Sequence, residues 1–161
     1  MIRSAIHENA VAIAGIYNHY IENTVITFEE TPIDAEEIRL RIGNPENDLP
    51  WFVFEDGGIA LGYAYASPWK QRAAYRHSCE VSIYLDHTAT GNGIGKQLYR
   101  HLINDLKQRG MHAIIGGVAL PNAASVALHE SLGFEKSAHY REVGHKFGKW
   151  IDVGYWQLTI D

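Results

Sequence analysis

Glu80 and the glycine-rich run that begins at Thr90 are the parts of this chain whose residue types and spacing point to chemistry. Glu80-Val81-Ser82-Ile83-Tyr84-Leu85 reads as a strand, and Thr90-Gly91-Asn92-Gly93-Ile94-Gly95-Lys96 opens an amphipathic helix. Glycines at alternate positions let the backbone approach a ligand closely and turn successive N–H groups toward one point. The helix that starts there adds its positive dipole end. The guest this implies is a phosphate or pyrophosphate, with a carboxylate beside it.

What the glycines fail to match narrows that guest. A nucleoside-triphosphate loop needs Gly where Thr90 stands and Ser or Thr where Gln97 stands. A dinucleotide fingerprint needs its third glycine where this chain has Lys96 or Leu98. A second segment, Pro121-Asn122-Ala123-Ala124-Ser125-Val126-Ala127-Leu128-His129-Glu130-Ser131-Leu132-Gly133-Phe134, reads as a helix: Asn122 is a good N-cap after Pro121, Ala124, Leu128 and Leu132 share a face, and Gly133 is a natural C-cap.

The glycine turn and this second segment resemble, in order and separation, the two coenzyme segments of the GNAT family of acetyl-CoA-binding N-acetyltransferases. The family's turn reads Arg or Gln, two residues, Gly, one residue, Gly or Ala; Thr90 stands where Arg or Gln is usual, which removes a charge and keeps the amides. Altered coenzyme affinity is expected from that departure, not a lost site. Within the family the chain is similar to the phosphinothricin and methionine sulfoximine acetyltransferase branch. The matching segments include Ile16-Tyr17-Asn18, Thr27-Phe28-Glu29-Glu30-Thr31-Pro32, Gly62-Tyr63-Ala64, Pro68-Trp69, Tyr75-Arg76, Glu80, Leu120-Pro121-Asn122, Leu128-His129-Glu130, Lys146-Phe147-Gly148-Lys149-Trp150, Asp152 and Trp156-Gln157-Leu158.

The resemblance implies an α/β fold with a mixed sheet of seven or so strands flanked by four helices, splayed at the fourth and fifth strands. It implies acetyl-CoA as co-substrate, held at Gly91, Asn92, Gly93, Ile94, Gly95 and Lys96, along the main chain of Ile83, Tyr84 and Leu85, and at Asn122 and Ser125. Backbone N–H near Tyr84 would meet the thioester carbonyl as negative charge develops there. The acceptor would lie between Phe28 and Glu29, with Glu30 beside them, and Lys70, Gln71, Arg72 and Tyr75, against Glu80, Val81 and Ser82; a guanidinium there would grip an α-carboxylate. His129 stands where most members carry a Tyr thought to protonate the departing thiolate, and imidazole is able to do that job.

Residue chemistry runs parallel to this reading. Side chains alternate along a strand, so Glu80, Ser82 and Tyr84 share a face opposite Cys79, Val81, Ile83 and Leu85. Glu80, among aromatic and aliphatic neighbours, should have a raised pKa suited to taking a proton from an ammonium. A surface glutamate paired with Arg72 or Arg76 is the plain alternative. Cys79 is expected in the core and not as a nucleophile. No His-x-x-x-His spacing occurs among the histidines, so no metal is expected. The acceptors implied are phosphinothricin, methionine sulfoximine, methionine sulfone or related L-amino acids, attacked directly in a ternary complex. Another amine (a protein N-terminus, a polyamine or an aminoglycoside) is an alternative. A non-catalytic acyl-CoA-sensing module is another, and it would keep the glycine turn without needing Glu80.

The elements that must position these groups follow from periodicity. Ile2 to Ile6 reads as a strand, and Asn9 as the cap of a helix with Ile13, Ile16, Tyr17, Tyr20 and Ile21 at helical spacing. A second helix is capped by Asp34, buries Ile38 and Ile42, and stops at Gly43. A hairpin turns at Asp56-Gly57-Gly58, and Arg76 to Leu85 follows as a strand. The helix from Gly93 to Arg109 puts Ile94, Leu98, Leu102 and Leu106 on one face. Strands are expected at Ala113 to Val118, near Glu135 to Arg141, and from Trp150 to Ile160.

At 161 residues and 46% hydrophobic, the chain suits one globular domain over 1–161. A net charge of -5 argues against nucleic acid or an anionic membrane as partner and for a small-molecule amine. One cysteine, no cleavable leader pattern and no apolar run near the roughly 20 residues of a membrane span place the expected setting in the cytoplasm. The aromatic C-terminal stretch, Phe147, Trp150, Val153, Tyr155 and Trp156, leads us to expect a homodimer packed through the last strands.

Overall fold

The computed structural model describes residues 1 to 161. Its strands are β1 (Ile2–Ser4), β2 (Trp51–Asp56), β3 (Ile59–Pro68), β4 (Ser78–Leu85), β5 (Ala113–Leu120), β6 (Glu135–Lys146) and β7 (Lys149–Thr159). Its helices are α1 (Ala10–Asn23), α2 (Ala35–Ile42), α3 (Ile94–Gln108) and α4 (Ala123–Ser131). The strands form one sheet in the order β1-β2-β3-β4-β5-β7-β6. All neighbours run antiparallel except β4 and β5, which are parallel.

Helix signals in the sequence act locally as expected. The Asp34 carboxylate accepts from Glu37 N–H at 2.9 Å, Glu36 and Glu37 sit in the first turn of α2, and Arg39 and Arg41 sit in its last, all favourable with the helix dipole. Leu98, Leu102 and Leu106 of α3 are fully buried, and together with Cys79, Val81 and Ile114 they build the core on one face of the sheet. Truncating any of these leucines to Ala would cost about 2–5 kcal/mol. The other face carries a second core in which α1 and α2 bring Ile13, Ile21 and Ile38 against Val53 and Tyr63. Tyr84 packs on that second face, opposite Ile83 and Leu85, as strand alternation requires.

Three local expectations are corrected. β1 ends at Ser4, because Ile6 starts a short 3-10 turn, His7–Asn9, that precedes α1. Asn9 does hold the N-cap position of α1, but its side chain makes no capping bond there; its backbone is already helical, and its side-chain oxygen reaches back to accept from Ile6 N–H at 3.0 Å. β6 runs on to Lys146, past an irregularity between Tyr140 and Gly144 where Glu142 takes φ 52° and the strand alternation breaks.

The feature that matters for function is where the sheet fails to close. β4 and β5 pair only from Ser78 opposite Ala113 to Glu80 opposite Ile115. Beyond that rung β4 stays with β3 as far as Leu85, and β5 stays with β7 as far as Leu120. A wedge opens between them.

Candidate active site

Backbone direction decides what the wedge offers a ligand. Trp69 N–H donates to the Ser78 carbonyl and Asp86 N–H to the Leu61 carbonyl, so even-numbered residues of β4 turn their main-chain groups to β3. Odd-numbered residues consequently face β5: Val81 N–H is used by the Ile115 carbonyl on the last parallel rung, and beyond it Ile83 and Leu85 point their main-chain groups into the gap. Tyr84 N–H is committed to β3 and Val81 N–H to Ile115, so the amide near Tyr84 that faces the gap is that of Ile83. The Leu85 carbonyl is taken by the Tyr20 hydroxyl at 2.5 Å. A narrow cavity fills the wedge, bounded by Val81, Ser82, Ile83 and Tyr84 on one side and by Gly117, Val118 and Ala119 on the other. Asn122, Ser125, His129, Tyr99 and Ile26 complete its wall.

Glu80 sits on the last paired rung, at the apex of the wedge. It is half-buried and makes no ion pair or hydrogen bond within the chain; Arg76, one candidate partner, donates to the Ala73 carbonyl instead. Burial alone raises its carboxyl pKa above the ordinary 4.5. The space in front of Glu80 exists because of Gly117. A Cβ built there would lie 3.3 Å from Glu80 Oε1 and 3.1 Å from the Tyr155 ring. Tyr155 in turn meets Trp69 and Tyr140 edge-on, at centroid distances of 5.6 and 5.8 Å. Glu80, Gly117 and an aromatic group around Tyr155 thus form one niche, and Gly117 itself is open to solvent.

His129 is buried on the far side of β5, its imidazole filling the place a Gly116 side chain would take. Its ring packs edge-on to Tyr99 and Phe134. Nδ1 lies 2.7 Å from the Ser125 carbonyl, which only accepts, so Nδ1 carries the proton. Nε2 then bears the lone pair, is buried, and has no partner in the chain. Burial lowers the imidazole pKa, with the Ser125 bond opposing. In this tautomer the neutral ring offers Nε2 as an acceptor, and giving a proton from that atom would require the imidazolium.

The glycine turn has the geometry of an anion cradle. Gly91 and Gly93 take φ of 83° and 74°, a region costly for other residues, and Gly93 is the N-cap of α3. The N–H groups from Gly91 through Lys96 donate to no acceptor in the chain, the first internal bond at this end running from Gln97 to the Gly93 carbonyl. Thr90 is exposed, and its hydroxyl reaches only the His87 carbonyl, at 3.5 Å. The turn and the wedge are continuous through β4 and α3, so a pyrophosphate at one end and a pantetheine arm along the other fit the residues present.

The expected acceptor residues divide. Ser82 lines the wedge and pairs with Tyr65 of β3; Val81 lines it while its side chain is in the core. Glu29 is committed elsewhere, to Arg41 at 2.7 Å and to the Tyr17 hydroxyl. That pairing holds its carboxyl below the ordinary range. Phe28 lies over Gly144 of β6 and Glu30 is exposed. Lys70, Gln71, Arg72 and Tyr75 cluster on an exposed loop that lines a separate groove with Ser67 and Ser78, and Lys70 lies over the Trp69 and Tyr75 rings. Neither Arg72 nor Lys70 shares the cavity that holds Ser82 and Tyr84. Sequence reasoning missed Gly116, Gly117, Tyr99 and Tyr155. The signal was there: two adjacent glycines inside a strand mark a close approach of other groups to the backbone.

Comparison with known proteins gives a concordant result. Residues 2–154 match the model of an acetyltransferase (GNAT) domain. The phosphinothricin N-acetyltransferase of Streptomyces viridochromogenes is 37% identical over 160 residues, covering 99% of this chain and 87% of that protein. A crystal structure of a ribosomal-protein-alanine N-acetyltransferase from Brucella melitensis superposes with a TM-score of 0.96 at 38% identity, covering 99% of each chain. A phosphinothricin acetyltransferase from Sinorhizobium meliloti, solved in complex with acetyl-CoA, gives a TM-score of 0.94 at 36% identity, covering 99% of this chain and 88% of that one.

Proposed function

Since the chain belongs to the GNAT family of acetyltransferases and is an N-acetyltransferase that takes its acetyl group from acetyl-CoA, we propose that it acetylates the α-amino group of a small amino-acid-like acceptor. Phosphinothricin, methionine sulfoximine and methionine sulfone are the proposed acceptors. The observation that carries the reading is the unpaired, half-buried Glu80 carboxylate at the apex of the wedge, opposite the solvent-open Gly117.

Acetyl-CoA supplies the acetyl group as an activated thioester. Gly91 to Lys96 would hold its pyrophosphate, and Val81, Ile83, Asn122 and Ser125 its arm. Glu80 takes one proton from the acceptor's ammonium, directly or through water, which frees the nitrogen lone pair for attack. The N–H of Ile83 points into the gap, where it meets the negative charge that grows on the carbonyl oxygen. The acceptor nitrogen carries a second proton that it loses as the amide forms, and this balances the proton the departing sulfur gains. No separate acid is required. His129 Nε2 is proposed to accept a hydrogen bond from the thiol so formed.

A second reading, acetylation of a protein's N-terminal residue, is favoured by the likeness to the Brucella structure. Coenzyme A thiol release with phosphinothricin, methionine sulfone, the proteinogenic amino acids, an alanine-terminated peptide, spermidine and kanamycin separates the two. Turnover with the small α-amino acids and their analogues is expected; turnover with the peptide alone would overturn the proposal.

A homodimer through the last strands is also proposed. Trp150, Val143, Phe147 and Tyr140 are 66, 59, 58 and 54% exposed there, a large apolar patch for a free surface, whereas Val153 and Trp156 belong to the core. Elution as a monomer on sizing would sink it. A cytoplasmic setting, where acetyl-CoA is made, is the compartment proposed.

A further inference from the structure

Lys146 is a charged residue with 2% of its surface exposed, at the far end of β6 and unused by the chemistry above. Its place is set by the hairpin turn, where Phe147 and Gly148 both take positive φ, 51° and 71°, and lock Lys146 opposite Lys149. From there Nζ donates to the Thr27 carbonyl at 2.9 Å, across a sequence separation of 119 residues. A buried ammonium is costly. Burial does draw its pKa down, while Glu30 and Glu29, the charged groups that face it, oppose that shift.

The segment it grips is not an ordinary loop. Ile26 walls the cavity in the wedge. The Thr27 hydroxyl lies 2.7 Å from that of Tyr17, whose ring packs on Tyr84 at 4.9 Å. Tyr17 also donates to Glu29, which is bound to Arg41 of α2. A second contact pins the next residue, because the Phe28 ring occupies the space a Gly144 side chain would need.

We infer that Lys146 is a positioning residue: from the β6–β7 hairpin it latches residues 24–30 against β4, so that Ile26 and Phe28 close the acceptor side of the wedge. The effect on acceptor affinity rests on the proposal that the acceptor enters there. The latch itself does not.

The test compares Lys146→Met, Lys146→Arg and Gly144→Ala with the parent protein. Hydrogen exchange of the amides in 24–30, the KM for phosphinothricin, kcat, and the Kd for acetyl-CoA are measured. Lys146→Met is expected to speed exchange in 24–30 and to raise the acceptor KM about tenfold, the scale of one lost hydrogen bond to a charged group, with kcat and the acetyl-CoA Kd little changed. Lys146→Arg keeps a donor and restores most of the KM. Gly144→Ala pushes on Phe28 without removing a hydrogen bond, and it is expected to give the same split if Lys146→Met does not fold. Unchanged exchange in a folded Lys146→Met, or equal losses toward both substrates, would overturn the inference. If phosphinothricin is not turned over, exchange alone decides the latch, and the missing turnover counts only against the proposed acceptor.

Discussion

Replacing Glu80 by Gln exchanges one carboxylate oxygen for an amide nitrogen and changes almost nothing of shape. No cation or hydrogen-bond donor in the chain loses a partner, since Glu80 has none, so the fold should survive intact. The sign of the stability change follows from the raised pKa. The native state holds the Glu80 proton more tightly than the unfolded chain does, so the charged form costs stability once pH rises through the native pKa. Below the ordinary 4.5 both forms are neutral and the cost vanishes. Glu80→Gln should therefore melt above the parent at alkaline pH and match it in acid. Activity moves the other way. Loss of a positioned general base should lower kcat by about 10²- to 10⁴-fold, with the acetyl-CoA Kd unchanged because the glycine turn is untouched. In the parent, kcat/KM should rise as Glu80 ionises, with its acid limb above 4.5. In the variant that limb should give way to the titration of the acceptor's own amine. Thiol-release kinetics across pH, alongside thermal melts, read both effects. A variant that keeps more than about a third of the parent's kcat, far short of the loss of a base, would refute the assignment.

Gly117→Val should raise the acceptor KM by tenfold or so while sparing the acetyl-CoA Kd, since its side chain would crowd Glu80 and Tyr155 from 3.3 and 3.1 Å onward; steady-state kinetics with each substrate varied in turn will show it. His129→Gln should lower kcat by less than about tenfold, because the ring is neutral and not the proton source; a loss as large as that of Glu80→Gln would restore the acid role. The same substitution tests a stability effect of opposite sign: His129, its pKa lowered from 6.5, should cost the parent stability as pH falls below that value, and melts of His129→Gln should lack the dependence. Gly93→Ala forces a side chain into φ 74° and should cost about 1–2 kcal/mol of stability while weakening acetyl-CoA binding, as measured by calorimetry.

The fold was largely legible because its elements announce themselves locally. Asp34 and Asn122 cap their helices as their types suggest, and the Leu98, Leu102 and Leu106 spacing marks the buried face of α3. Strand alternation separated Glu80 from Cys79 without any coordinate. What escaped was whatever depends on partners far apart in the chain. That Glu29 is bound by Arg41, that Lys146 reaches Thr27, and that His129 points its lone pair at Gly116 all follow from packing between elements, and residue type does not foretell it. The wedge itself was implied by resemblance alone. Which amides face it became clear only from the hydrogen bonds of Ser78 and Asp86, which fix the parity of β4.

The most direct measurement is a crystal structure with coenzyme A and an N-acetylated acceptor bound together. The sulfur is expected between Val81–Ile83 and Gly117–Ala119, the acetyl oxygen facing the Ile83 N–H, and the acceptor nitrogen above Gly117 within direct or single-water reach of Glu80. An acceptor seated in the groove of Lys70 and Arg72 with its nitrogen out of reach of Glu80, or a sulfur outside the wedge, would contradict it.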